Sequence, residues 1–138
     1  MAFWLFYTEP SAWSWEQQKN KGAKGEAWSG VRNYQAANNM KAMQKGDLGF
    51  FYHSVDEKQI VGIVEVIGLY RPDPTDEKGR FGLVEVKAVR DVPKPVTLAA
   101  IKAEPQLAEM VLVKNSRLSV QPVTAAEWQV ILEMGGAA

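Results

Sequence analysis

Short apolar runs broken by Pro, Gly and charged clusters recur along the 138-residue chain, and their spacing predicts several strands with helices set between and after them. The run Phe3-Trp4-Leu5-Phe6-Tyr7 is aromatic and is closed by Glu9-Pro10, which suits a buried first strand. Ser14 with Gln17 three residues later forms a capping box that opens a short helix from about Trp15 to Asn20. The Lys/Gly-rich stretch from Lys19 to Gly25 reads as an exposed loop. From Asn33 to Gln44 the positions Tyr34, Ala37, Met40 and Ala42/Met43 recur at near-helical spacing, and Gly46 stands where a C-terminal cap belongs.

Three further strands are predicted at Asp47 to His53, Gln59 to Tyr70 and Phe81 to Val92. The second is apolar at Ile60, Val61, Ile63, Val64, Val66 and Ile67, too continuous for simple alternation, so it is expected to be central or to bulge near Gly62 or Gly68. The third alternates Val84, Val86 and Ala88 with Glu85, Lys87 and Arg90, the pattern of one buried and one wet face. Between them, Pro72-Asp73-Pro74 and Asp76 to Gly79 make a long, turn-rich connection of the kind that often serves a binding site. Pro93-Lys94-Pro95 is expected to stop the sheet. Thr97 caps a short helix through Ala103, interrupted at Pro105 and resumed to Met110. Arg117 to Gln121 is a last strand ended by Pro122, and Thr124 with Glu127 opens a C-terminal helix that stops at Gly135-Gly136. These elements describe a single α+β domain over residues 1–138, a small mixed β-barrel capped by helices.

Composition narrows the chemistry. With 46% hydrophobic residues, the chain is expected to bury roughly two-thirds of its unfolded surface, which excludes disorder. It has no Cys and one His, which removes disulfides, thiol nucleophiles and a structural zinc site. Any metal would be oxygen-bound, and no cofactor is called for. The apolar stretch Ala2 to Tyr7 has no basic region before it, so neither a secretory signal nor a membrane span is expected, and the default location is cytoplasmic. Sixteen basic residues balance sixteen acidic ones, which argues against a broad phosphate-coating face but not against a reader of one nucleotide.

The aromatic residues point more sharply. Five Trp is a high count, and Trp28 stands in the polar stretch Gly25-Glu-Ala-Trp-Ser-Gly30, where no core periodicity demands it. An indole displayed there is either a plug over the core or a stacking platform. Arg32, Asn33, Tyr34, Gln35 and Asn38 follow it and supply the amide and guanidinium donors that could read the edge of a stacked base. Against that, Asn33 could simply cap its helix, and Arg32 could pair with a carboxylate. Trp4, Trp13 and Trp15 read as structural. His53-Ser54 is the one His beside a hydroxyl, but neighbours on a strand point to opposite faces and do not make a nucleophile–base pair. The glycines Gly22, Gly25 and Gly30 lack the spacing of either nucleotide-binding fingerprint.

Five ordered blocks make the chain resemble the EVE domain family, which includes small bacterial proteins and the thymocyte nuclear protein of animals. They are Phe3 to Pro10, Trp28 to Ala36, Gly46 to Ser54, Gly62 to Val66 and Ser116 to Pro122. The resemblance implies a PUA-like fold of about five to six strands with flanking helices, related to the YTH readers of methylated adenine in RNA. It also implies a pocket for a modified base in DNA or RNA. By that analogy Trp28 is one wall of an aromatic cage, Val31 lies within the same block, and Thr8 and Glu9 supply polar groups. Arg32, Asn33 and Gln35 line the entrance, and Tyr52, His53, Ser54, Ser116 and Arg117 complete the pocket. The loop from Tyr70 to Asp73 is a candidate second wall. The chain departs from the family at Tyr7, where members commonly carry Lys, and at Ala37, where Arg is frequent.

The expected function is therefore a non-catalytic nucleic-acid-binding module that reads a modified or flipped base. Two alternatives stand beside it: a PUA-like RNA-binding module indifferent to modification, and a hydrolase or base-modifying enzyme using His53 with a carboxylate such as Glu9. The oligomeric state stays open, with a monomer as the working expectation. The zero net charge is unevenly spread. Residues 16–46 hold six basic and two acidic side chains, so the positive share falls on the segment that carries Trp28 and Arg32.

Overall fold

In the computed structural model, which describes residues 1–138, the first apolar run is β1 (Phe3–Thr8) and it is buried on both faces. Leu5 enters one core with Phe50, Tyr52, Ile60 and Ile63, while Trp4 and Phe6 enter another with Phe51, Val64 and Val66. Two buried faces remove the need for polar alternation, which explains the continuous apolar runs. After β1 come α1 (Trp15–Asn20), β2 (Glu26–Ala27), α2 (Tyr34–Lys41), β3 (Leu48–His53), β4 (Gln59–Pro72) and β5 (Gly82–Thr97). The chain then forms α3 (Leu98–Ala103), α4 (Val111–Lys114), β6 (Val120–Val123) and α5 (Ala125–Met134). No helix is long and apolar enough to cross a membrane.

The six strands form one mixed sheet in the order β2-β5-β4-β3-β1-β6, in which β1 and β3 are parallel and the other pairs antiparallel. The expected α+β architecture is present, but β2 and β6 are free edges, so the sheet is not a closed barrel. Helices α3 and α5 cover the face that holds Leu5, and α1 and α2 cover the face that holds Phe6. Both capping boxes form: Ser14 with Gln17, and Thr124 with Glu127.

Three expectations fail at prolines. Strand β5 runs through Pro93 and Pro95 to Thr97 rather than stopping. Its register against β4 shifts between Gly62↔Asp91 and Ile60↔Val96, so both prolines fall in a bulge where no ladder N–H is required. Strand β6 likewise contains Pro122, paired with Trp4, because β6 is an edge. It begins at Val120 and not at Arg117. The helix expected to resume to Met110 is a 3-10 turn at Pro105–Leu107, followed by the separate α4. Helix α2 also ends at Lys41, short of Gln44.

Gly62 lies under the Trp15 ring. A Cβ built there would meet the ring carbons at 2.2–2.4 Å. The ring cannot withdraw, since Trp15 is buried against Phe51 and its Nε1–H donates to Asp91 at 2.7 Å. Gly62→Ala is therefore expected to destabilise the protein by about 1–3 kcal/mol through overpacking, read as a lower urea midpoint at unchanged slope.

Candidate nucleic-acid interface

Where β1 ends, the chain leaves a cavity of about 390 Å³, within the range of about 300–1,000 Å³ typical of small-molecule pockets. Tyr7 and Thr8 contribute from the last two positions of the strand, and Ala12 and Trp13 from the connection to α1. Glu26 and Ala27 of β2 lead into Trp28-Ser29-Gly30-Val31-Arg32, which forms the longest stretch of wall, and Ser119 closes it just before β6. Backbone bonds set this wall. The Trp28 N–H donates to the Val84 carbonyl at 2.8 Å, and the Gly30 N–H donates to Asp73 Oδ2 at 2.8 Å. Gly30 sits at φ +82°, in the left-handed region where glycine carries no steric cost.

Trp28 serves two surfaces at once. It is only 7% exposed and meets Phe6 and Phe51 edge-on, at centroid distances of 5.3 and 5.7 Å. The indole N–H groups of Trp4, Trp13 and Trp15 donate to Asp47, Gln18 and Asp91. That of Trp28 has no acceptor in the protein and is not sealed from solvent. The Thr8 hydroxyl has only a 3.4 Å contact with the Glu9 carbonyl, longer than a good O–H···O bond, so it can turn to a ligand.

Asp73 reaches this wall from the long β4–β5 connection. Its carboxylate is fully buried and accepts from Gly30 N–H, Thr75 N–H, the Thr75 hydroxyl and Arg32 Nη1, at 2.6–3.2 Å. Burial pushes its pKa up, but these donors together outweigh it and hold the group at about 2. Arg32 also donates to the Val31 carbonyl and the Thr75 hydroxyl, which leaves the guanidinium fixed and partly exposed. The Tyr7 hydroxyl donates to the Arg117 carbonyl, and burial raises its pKa against the opposing charge of Arg117. It therefore stays a neutral donor at ordinary pH.

A family model described as the EVE domain matches residues 2–134. The chain belongs to the EVE domain family. Human thymocyte nuclear protein 1 is 31% identical over 95% of this chain and 72% of its own length. A solved protein from Agrobacterium tumefaciens superposes with a TM-score of 0.95 at 53% identity, covering 99% of this chain and 94% of its own. The human protein in complex with 5-methylcytosine-containing DNA superposes at 0.91 with 30% identity, covering 98% of each chain. The YTH domain of Zygosaccharomyces rouxii MRB1 shares the fold alone, at a TM-score of 0.60 and 18% identity over 97% of this chain and 86% of its own.

In this EVE domain the candidate residues separate into two groups. Thr8, Trp28, Val31 and Arg32 line the cavity together. Glu9 is exposed beside it and contributes its carbonyl to the N–H groups of Ala12 and Trp13. Asn33 caps α2 by accepting from Ala36 N–H, and Gln35 is exposed on that helix. Tyr52 lies in the other core, where burial and the nearby Tyr7 push its pKa up to about 12. Ser54 supports the wall from behind through its N–H to the Thr8 carbonyl. Ser116 and Arg117 are exposed outside the lining, and Ser119 takes the place expected of them. The loop expected as a second wall anchors Gly30 through Asp73 instead of lining the cavity.

His53 is buried among protein partners. Its Nε2 accepts from Trp15 N–H at 3.0 Å, so Nδ1 carries the proton and faces Glu57 at 3.0 Å. The carboxylate beside it is Glu57 and not Glu9. The lining offers one carboxylate, Glu26, and no imidazole. Sequence reasoning missed Tyr7, Trp13 and Ser119 as lining residues. For Trp13 a signal existed, since Ser11-Ala-Trp-Ser14 is as unexplained by core periodicity as the setting of Trp28.

Proposed function

We propose that this EVE domain is a non-catalytic module that binds nucleic acid through a modified base seated in the cavity beside Trp28. The observation that carries this reading is a pocket of nucleobase-compatible size, about 390 Å³, whose Trp28 N–H has no partner in the protein. It lies in a fold whose human relative is in complex with 5-methylcytosine DNA. Residues 1–138 act as one unit of this kind, in the cytoplasm. Trp28 and Trp13 supply aromatic surface, Thr8, Ser119 and the Trp28 N–H supply hydrogen bonds to the base edge, and Val31 meets an added methyl group. Flipping a base costs a few kcal/mol, which favours modified, mismatched or single-stranded targets. Both nitrogens of His53 are held by Trp15 and Glu57, which supports a binding role over catalysis by that imidazole.

The test uses oligonucleotides that differ only in one methyl group on a cytosine or an adenine, titrated by fluorescence anisotropy. One methylated member is expected to bind about tenfold more tightly than its unmodified counterpart, the discrimination one methyl can provide in an apolar pocket. Equal affinity throughout would point to the modification-blind RNA module and overturn the reading.

A further inference from the structure

Arg32 has a second role that the base pocket does not absorb. Its side chain also lines a separate open cavity of about 390 Å³, formed with Thr75, Asp76, Glu77, Lys78, Arg80 and Phe81 of the β4–β5 connection. The Arg32 guanidinium stands 5.8 Å from the Phe81 ring centre. On Phe81 rests Tyr34, the first residue of α2, at 4.8 Å with 34° between the planes. The core of α2 is Ala36, Ala37 and Met40, so Tyr34 serves no interior role and is 61% exposed.

The charges of this loop are sorted by its own hydrogen bonds. Asp76 accepts from the backbone N–H groups of Lys78, Arg80 and Phe81, and Asp73 is enclosed by Gly30, Thr75 and Arg32. Both carboxylates are thereby occupied, and Glu77 is the one free acid at the rim. Lys78 and Arg80 are exposed and have no carboxylate within ion-pair distance. The surface thus offers an open aromatic face beside three cations, and Arg32 joins it to the first cavity.

We propose that Tyr34, Phe81, Lys78 and Arg80 form a second subsite, which holds the nucleotide that flanks the base seated beside Trp28. The flanking base stacks on Tyr34, and the intervening phosphate lies against Arg32, Lys78 and Arg80. Stacking platforms with flanking cations are how single strands are held without sequence preference. Continuity through Arg32 favours a polynucleotide over an acidic peptide, which has no use for the exposed ring. This inference rests on the function proposed above.

The test compares wild type, Tyr34→Ala, the double variant Lys78→Gln/Arg80→Gln, and Trp28→Leu. The probes are 5-methyl-2′-deoxycytidine alone and single-stranded oligonucleotides with one internal 5-methylcytosine or none. Tyr34→Ala is expected to weaken oligonucleotide binding by about fivefold or more, the loss for one stacked base. The double variant is expected to lower the slope of log affinity against log salt by about 0.7, the value for one phosphate on a single strand. Neither changes the affinity for the nucleoside, whereas Trp28→Leu weakens both probes. Unchanged melting temperatures for the surface variants confirm that the fold is intact. If these variants bind oligonucleotides as wild type does while Trp28→Leu is impaired, the second subsite is wrong and the base pocket stands. If wild type binds neither these oligonucleotides nor their counterparts with one methylated adenine, both readings fall.

Discussion

Trp28→Leu is expected to leave the protein folded but to weaken oligonucleotide binding by about fivefold to a hundredfold, the 1–3 kcal/mol carried by one stacked base. The two losses must be separated because Trp28 packs edge-on against Phe6 and Phe51 while it also lines the cavity. Trp28→Ala would empty a buried site and cost about 3–5 kcal/mol of stability, so loss of binding could merely report unfolding. Leucine keeps most of the apolar contact and should cost about 2–3 kcal/mol, with no π-face to offer a base. Trp28→Phe gives the complementary variant: it keeps a smaller π-face and loses the pyrrole ring with its N–H, which has no partner within the protein. Its binding should fall between wild type and leucine, below wild type by at least the worth of one hydrogen bond, ~0.5–1.5 kcal/mol. Urea denaturation and anisotropy on the same three preparations measure both quantities. Leucine and wild type binding alike would remove stacking from the account.

The same residue shows what a linear reading of this chain could and could not reach. Trp28 has no periodic neighbours, so composition favoured a plug and only the polar residues that follow it brought a platform into view. The fold makes it both, because β2 is two residues long and turns the indole over the Phe6–Phe51 core at the cavity wall. A two-residue strand has no period to detect, which is why β2 was not foreseen. Strands β1 and β3 were legible because burial on both faces leaves an unbroken apolar run. The prolines misled for a reason that belongs to the sheet: their lost N–H matters only where a neighbouring strand asks for it, and neither the β5 bulge nor the β6 edge does. Among the site residues, Thr8, Val31 and Arg32 lie on the cavity, but His53 and Tyr52 share a strand end with it and still face elsewhere. Adjacency along a strand carries no information about which face a ligand meets. Nor could local spacing reveal that Gly30 and Arg32 depend on a carboxylate more than forty residues away.

That carboxylate supports the second large expectation. Asp73→Asn should cost about 2–4 kcal/mol at pH 7, since it replaces a buried acceptor of several donors with an amide that cannot satisfy them all. The pH dependence identifies the cause. Folding lowers the Asp73 pKa from 3.8 to about 2, so its contribution is fully present above 3.8 and is lost as pH falls toward 2. The lowering from 3.8 to about 2 corresponds to roughly 2 kcal/mol, so the gap between wild type and Asp73→Asn should narrow by that amount between pH 5 and pH 2. Urea midpoints at pH 5, 4, 3 and 2 provide the measurement. Binding at pH 7 should weaken in the same variant, because the Gly30 turn and the Arg32 guanidinium lose the group that fixes them at the mouth of both cavities. A gap that stays constant across that pH range would mean that the packing of the β4–β5 connection, and not the charge of Asp73, holds the wall beside Trp28 in place.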